Sequence, residues 1–267
     1  MPGTLYLVAS PIGNLEDLTH RAARILGEVA LIACEDTRHS RRLLEHYGIH
    51  RPTLSYHRLN EAARAEALLA RLRAGEDVAL LSDAGTPVLS DPGARLVAAA
   101  AAAGVRVVPL PGPSAALAAL AGAGAEEPVA LLGFVPARAG ERRRWLQTWS
   151  AWPGSLVAFE APHRLAASLA DLEAVLGPER PLVVARELTK QFEEFLRGTV
   201  ASARAHFAVH PPRGEFTLVI GAGNTAAPAA AGDSPPAELD RDQLKQWARA
   251  HGLSRSEAYR RWQQARR

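Results

Sequence analysis

Between the apolar run 78–81 and an alanine-rich stretch, the chain carries Ser82-Asp83-Ala84-Gly85-Thr86-Pro87, with Asp91-Pro92-Gly93 just behind. The apolar run reads as a buried strand. Its carboxyl end then delivers an acid, two small residues, a hydroxyl and a proline to the place where ligands bind in open α/β sheets. Small residues there let a ligand approach the backbone, and Asp83 can accept hydrogen bonds from ribose hydroxyls or an amine. The same residues also suit an ordinary Asp-Ala-Gly turn followed by an Asp-Pro helix start. Five other loop segments have a comparable mix of polar, glycine and proline residues: Ser10-Pro11-Ile12-Gly13-Asn14-Leu15, Glu35-Asp36-Thr37-Arg38, Pro111-Gly112-Pro113-Ser114-Ala115, Phe159-Glu160-Ala161-Pro162-His163-Arg164 and Arg186-Glu187-Leu188-Thr189-Lys190.

The elements that must position these loops follow from the hydrophobic pattern. Residues 4–9, 29–34, 53–56, 78–81 and 105–108 read as strands. Helical patterns run over 18–26, through Leu43 and Leu44 to a stop at Gly48, over 61–73, and from about 92 to 103. Strands alternating with helices at this spacing imply a mostly parallel sheet covered on both faces, with its loops gathered along one edge. Residues 121–128, rich in Ala, Gly and Glu and ending in Pro128, read as a junction, giving a first α/β domain over 1–120. Beyond it, strand candidates at 129–134, 155–160, 182–186, 193–197 and 216–220, with helices at 140–149 and 163–176, predict a mixed α+β domain over 127–224. Residues 225–236 read as a flexible linker, and 237–267 as a basic extension of two helices broken at His251-Gly252.

Composition narrows the classes. No apolar run reaches the ~18 residues of a membrane span, no basic leader precedes the first strand, and the single cysteine, Cys34, excludes an intrachain disulfide and fits a reducing cytoplasm. Cys34 ends an apolar run and reads as strand filler. The formal net charge is +3, but residues 238–267 hold eight Arg or Lys against four Asp or Glu. This hints at a polyanionic partner, although a solvated helix face explains the counts as well. Only Lys190 and Lys245 occur among 29 arginines. A lysine in so arginine-biased a chain draws attention because its pKa can be tuned and that of arginine cannot. No G-x-G-x-x-G follows the first strand, and P-loop, G-x-S-x-G and Cys/His metal motifs are absent, so no metal is expected.

The six loop segments, in this order, resemble the tetrapyrrole methylase superfamily of S-adenosylmethionine-dependent methyltransferases. The Ser-Pro-Ile-Gly-Asn first turn, where the wider family is often richer in glycine, points to its ribosomal RNA-methylating branch. The resemblance runs from Gly3 to Gly221 and includes the tail through Ala250-His251-Gly252-Leu253 and Ala258-Tyr259. It implies two α/β domains with S-adenosylmethionine folded into the cleft between them. Pro11 and Gly13 would line the first loop, and Asp83, Ala84, Gly85 and Thr86 would contact the amino-acid or ribose portion. Ser114 and Ala115 would meet the cofactor from the third loop, and Phe159, Glu160 and Thr217 from the second domain.

The implied reaction is 2′-O-methylation of a cytidine in the decoding region of 16S rRNA, within the small ribosomal subunit. The enzyme must align the 2′-oxygen with the methyl carbon and help remove the hydroxyl proton. Asp36, Arg38, Glu187 and Lys190 are the candidates. Asp36 equally suits a helix N-cap, and the segment around Lys190 a salt-bridged strand end. For RNA contact the densest basic group outside the tail is Arg138, Arg142, Arg143 and Arg144 with Trp145, which suits phosphate contact and base stacking. His163 and Arg164 open a helix where a phosphate contact is plausible. A tetrapyrrole or diphthine-type methylase, and a non-catalytic ribosome-assembly protein, are the competing readings, and a homodimer is left open.

Overall fold

The computed structural model describes residues 1–89, 91–223, 243–245, 247, 258, 259 and 262. Residues Met1–Gly223 form one compact unit and Asn224–Arg267 another.

The first sheet is wholly parallel, in the order β3-β2-β4-β1-β5, from β1 (Thr4–Val8), β2 (Leu31–Cys34), β3 (Thr53–Ser55), β4 (Val78–Leu81) and β5 (Arg106–Leu110). Successive side chains of a strand point to opposite faces. In β4, Ala79 and Leu81 pack with α1 (His20–Glu28) and α2 (Thr37–His46). Val78 and Leu80 pack with α3 (Glu61–Arg73) and α4 (Ala94–Ala102). Every residue of β4 is buried, which is why the run reads as continuously apolar. Burying a Val or Leu side chain contributes about 1.5–3 kcal/mol.

The second sheet has the order β6-β7-β10-β8-β9, from β6 (Val129–Phe134), β7 (Ser155–Glu160), β8 (Pro181–Arg186), β9 (Glu194–Thr199) and β10 (Phe216–Ile220). Only β6 and β7 pair in parallel; the other pairings are antiparallel. One face packs Leu156, Ala158, Leu182, Val184, Leu218 and Ile220 under α6 (Ala139–Trp149), α7 (Pro162–Leu176) and α8 (Val200–Val209). The other packs Val157, Ala185 and Val219 against Ala116 and Ala119 of α5 (Ala115–Ala123).

Helix α5 leaves the first sheet and lies on the second. Its small residues permit close approach: a Cβ on Gly122 would stand 2.3 Å from the Phe195 ring. The segment read as a junction therefore starts inside a packed helix, since Ala121 to Ala123 belong to α5. Helix α8 is absent from the sequence expectations. Its start is marked by a reciprocal cap between Thr199 and Ser202.

In residues 224–267, Leu244 and Ala258 are buried with Trp247 and Trp262 packed against them. The expected linker lies outside the described residues, as does most of the expected helix pair.

Candidate active site

The loops after β1, β4 and β5 meet at the carboxyl edge of the first sheet, as the chain order requires. The β1 and β4 loops are stitched together. Ser10 and Gly85 exchange backbone hydrogen bonds of 3.0 and 2.9 Å, and the Ser82 hydroxyl donates to the Gly85 carbonyl. Gly85 is buried and has φ +77°, a conformation that favours glycine. The Thr86 hydroxyl donates to the Pro113 carbonyl at 3.3 Å, tying in the β5 loop. Ser114 caps α5 by accepting from the Leu117 amide.

These loops and the ends of β6, β7 and β10 enclose a cavity of about 410 Å³, within the size range of small-molecule sites. Of the residues expected to hold a cofactor, Asp83, Ala84, Gly85, Thr86, Ser114, Ala115, Phe159, Glu160 and Thr217 all line it. Pro11 is half-buried in the first loop and is not among the lining residues. Gly13 sits elsewhere, in a groove with Asn14, His46 and Lys190. A Cβ on Gly13 would stand 2.3 Å from the Lys190 Cγ, so this glycine makes room for a lysine stem. The Glu160 carboxylate is wholly enclosed. It pairs with Arg164 at 2.7 Å and accepts from the Ala161 amide and the Ser168 hydroxyl, so it supports the wall and has no oxygen to spare.

The wall also contains residues that were not among the expected site residues: Leu89, Asp91, Phe134 and Glu215. Phe134 is 59% exposed and meets the Phe159 ring at a centroid distance of 5.4 Å. Asp91 has one carboxylate oxygen buried without a hydrogen-bond partner. Burial, then the charges of Glu35 and Asp83, push its carboxyl up to about 6, against the pull of Arg58. An apolar, aromatic wall with four acidic residues, of which Glu160 and Glu215 are ion-paired, suits a cationic ligand that carries a flat ring.

The expected proton-handling residues are differently employed. Asp36 caps α2, accepting from the Arg38 and His39 amides at 2.8 and 3.4 Å. Those amides hold its carboxyl below the ordinary value, which weakens it as a base. Its own amide donates to Asp83 Oδ1 at 3.2 Å, so it steadies the cavity acid. Arg38 is exposed. Lys190 Nζ donates to Glu187 Oε1 and Glu215 Oε2, both at 2.9 Å. Burial disfavours its charge, but the two carboxylates outweigh burial and raise its pKa. Glu187 is likewise opposed by burial, yet is held low by Lys190 and the Glu215 amide. An ammonium so held is a poor proton acceptor.

The basic cluster divides. Arg142 is turned inward, its side chain only 5% exposed, with Nη2 2.5 Å from Asp171 Oδ2 and further bonds to the Pro136 and Ala137 carbonyls. Arg164 points to Glu160 and the Val135 carbonyl. Neither guanidinium is offered to a phosphate as the sequence reading expected, because a buried carboxylate claims it. Arg138, Arg143, Arg144 and His163 remain exposed, with Arg143 also bonded to Asp171 at 2.6 Å.

Comparison with known proteins shows the family. The chain is 47% identical over 261 residues to the ribosomal RNA small subunit methyltransferase I of Synechocystis sp., covering 97% of this chain and 91% of that one. It is 54% identical over 192 residues to the protein of the same name from Pseudomonas aeruginosa, covering 72% and 68%. Among solved structures, a diphthine synthase superposes with a TM-score of 0.66 at 14% identity, over 82% of this chain and 90% of that one. A uroporphyrin-III C-methyltransferase from Thermus thermophilus, complexed with S-adenyl homocysteine, gives 0.58 at 21% identity, over 81% and 97%. The tetrapyrrole (corrin/porphyrin) methylase family model matches residues 4–204. The chain belongs to the tetrapyrrole methylase family.

Proposed function

We propose that this chain transfers a methyl group from S-adenosylmethionine to small-subunit ribosomal RNA, at the 2′-oxygen of a cytidine in the decoding region of 16S rRNA. The observation that carries the reading is the carboxylate-bearing cavity of about 410 Å³ at the carboxyl edge of the parallel sheet, in a chain whose relatives are named for ribosomal RNA methylation.

When bound, the cofactor supplies an activated methyl group on a sulfonium. The chain's own residues do the rest. Gly85 and Ala84 let the ligand lie against the backbone. Asp83, braced by the Asp36 amide, offers its other oxygen to a ribose hydroxyl or an ammonium. Phe134 and Phe159 provide the face on which a flat ring stacks. The exposed Arg138, Arg143 and Arg144 on α6, with His163, are the groups available to RNA phosphates.

The test is methyl transfer from labelled S-adenosylmethionine to 30S subunits purified from a strain lacking the endogenous activity, with the methylated nucleotide located by its resistance to alkaline cleavage. Label confined to one 2′-oxygen of 16S rRNA is expected. Transfer to a tetrapyrrole or a protein side chain instead would overturn the reading, and so would cofactor binding with no transfer to any RNA.

A further inference from the structure

We propose that Asp91 is the group that takes the proton from the acceptor hydroxyl, and that the buried Tyr56 hydroxyl steadies it through one internal water. The inference rests on the methyl-transfer reading above.

Asp91 stands between two cavities. On one side is the main cavity. On the other is an internal space of about 10 Å³, lined by Glu35, Tyr56, Ser82 and Asp91 among apolar neighbours. A space of that size holds about one water, given two or more polar partners. Two candidate partners sit on residues that line it. Asp91 Oδ2 and the Tyr56 hydroxyl are both buried and both without a hydrogen bond inside the fold. Tyr56 is 0% exposed. The Leu96 amide, in the first turn of α4, stands near enough to favour its phenolate but does not close a hydrogen bond. Two orphaned buried oxygens on residues that line one water-sized space are costly unless something joins them.

Several other acids near the site already have partners. Glu160 accepts three bonds, Asp36 caps a helix, Glu187 and Glu215 hold Lys190, and Asp83 accepts from the Asp36 amide and keeps its other oxygen for the cofactor. Two residues flanking Asp91 adopt left-handed backbone conformations. Val88 has φ +74°, rare for a β-branched residue, and Gly93 has φ +131° with its α-carbon pressed toward Leu80, where a Cβ would stand 2.6 Å from Cδ2. The groups around the carboxylate set its basicity. Burial and the charges of Glu35 and Asp83 raise it, Arg58 opposes them, and the result, about 6, leaves it ionised yet basic near neutral pH. Tyr56, pushed up to about 12 by burial and by Glu61, stays protonated and so keeps a hydrogen to donate toward it.

The step balances simply. The hydroxyl proton passes to the Asp91 carboxylate while an oxygen lone pair forms the bond to the methyl carbon. The carbon–sulfur bond breaks with its electron pair going to sulfur, leaving a neutral thioether. Asp91 then releases the proton to solvent.

Single-turnover methylation of 30S subunits across pH, at saturating S-adenosylmethionine, tests the role. The wild-type rate should fall on the acid side near pH 6. Asp91→Asn should lose about a hundredfold or more while calorimetric affinity for S-adenosylmethionine changes by less than about threefold. Tyr56→Phe should keep most of the rate at high pH but move the acid limb upward by about half a pH unit, because a donor to the ionised carboxylate is gone. Carboxyl NMR titration of the free protein reads the same coupling without substrate: a signal titrating near 6, absent in Asp91→Asn and shifted upward in Tyr56→Phe. Asp91→Asn at wild-type rate, or cofactor affinity lost in parallel with rate, would overturn the assignment. An unshifted signal in Tyr56→Phe would overturn the coupling. Failure of the wild type to methylate RNA would instead strike the functional reading, while the free-protein titration would still decide the coupling.

Discussion

Asp171 in the mixed-sheet half and Asp91 in the parallel-sheet half are both aspartates drawn out of solvent, and their surroundings push them in opposite directions. Arg142 and Arg143 both reach Asp171, and although burial works against its charge, their hydrogen bonds and charges hold its carboxyl below the ordinary value. Around Asp91 burial is reinforced by Glu35 and Asp83, and the carboxyl rises to about 6. The first arrangement joins α6 to α7 and favours the charged form, as a structural contact does. The second keeps a carboxylate under-satisfied at the wall of a cavity, which serves chemistry better than stability. One half of the fold uses its charges to hold helices together; the other holds charges ready for a ligand.

Substitutions can break that contrast. The largest effect is expected from Arg142→Met, which leaves Asp171 buried with only the exposed Arg143. Removing one partner of a buried pair costs about 3–5 kcal/mol, so chemical denaturation should show a loss of that order. The surviving folded protein should still bind S-adenosylmethionine with near-normal affinity. Retained stability would mean that Arg143 alone satisfies Asp171.

Asp91→Asn should act in the opposite direction. A carboxyl whose folded pKa is raised from 3.8 to about 6 binds more protons folded than unfolded between those values. Its ionisation therefore costs nothing below 3.8 and its full amount above 6. The variant should melt several degrees higher than wild type at pH 7–8, and the gain should vanish at pH 3.5. Asp171 shows the reverse sign: its contribution is complete above its unfolded value and is lost as pH falls through its lower folded value. A melting-temperature series over pH 3.5–8 reads both.

A smaller effect is expected for Lys190→Arg. The charge between Glu187 and Glu215 is kept, and Lys190 is not a base in this structure, so the pH–rate profile should keep its shape with a rate within about tenfold of wild type. An altered acid limb would return Lys190 to proton handling. The smallest stability change belongs to Arg143→Ala, whose exposed half of the Asp171 pair is worth under about 1 kcal/mol. If α6 meets RNA, this variant should still lower the salt dependence of RNA binding by about one counterion. An unchanged slope would remove Arg143 from the interface.

The parallel sheet was legible because its strands are buried on both faces and carry unbroken apolar runs, with Val78–Leu81 the clearest. Of the nine expected cofactor residues that line the cavity, Asp83 to Thr86, Ser114 and Ala115 follow such strands, whereas Phe159, Glu160 and Thr217, inside β7 and β10, were named through the family resemblance alone. Helix α5 was hidden because the alanines and glycines that let it pack on the second sheet look like a junction in one dimension. The role of Arg142 was not readable, since its partner lies 29 residues away and burial turns a cation from ligand-binding to structural. Phe134 enters the wall through the end of β6, where no polar motif marks it. Asp91 was visible within Asp-Pro-Gly, but its unpaired oxygen belongs to the folded loop alone.

Cys34, wholly buried at the end of β2, has a use outside the reaction. Burial raises its pKa, with Asp83 and Asp36 adding to that and Ser40 opposing, so its thiol is shielded and little ionised at neutral pH. It is also the only cysteine in the chain. A second cysteine placed on the exposed face of α6, at Arg144 for example, would be the single reactive thiol in the native protein. Cleavage reagents or crosslinkers tethered there would map which rRNA segments approach α6, with no background cysteine to remove first.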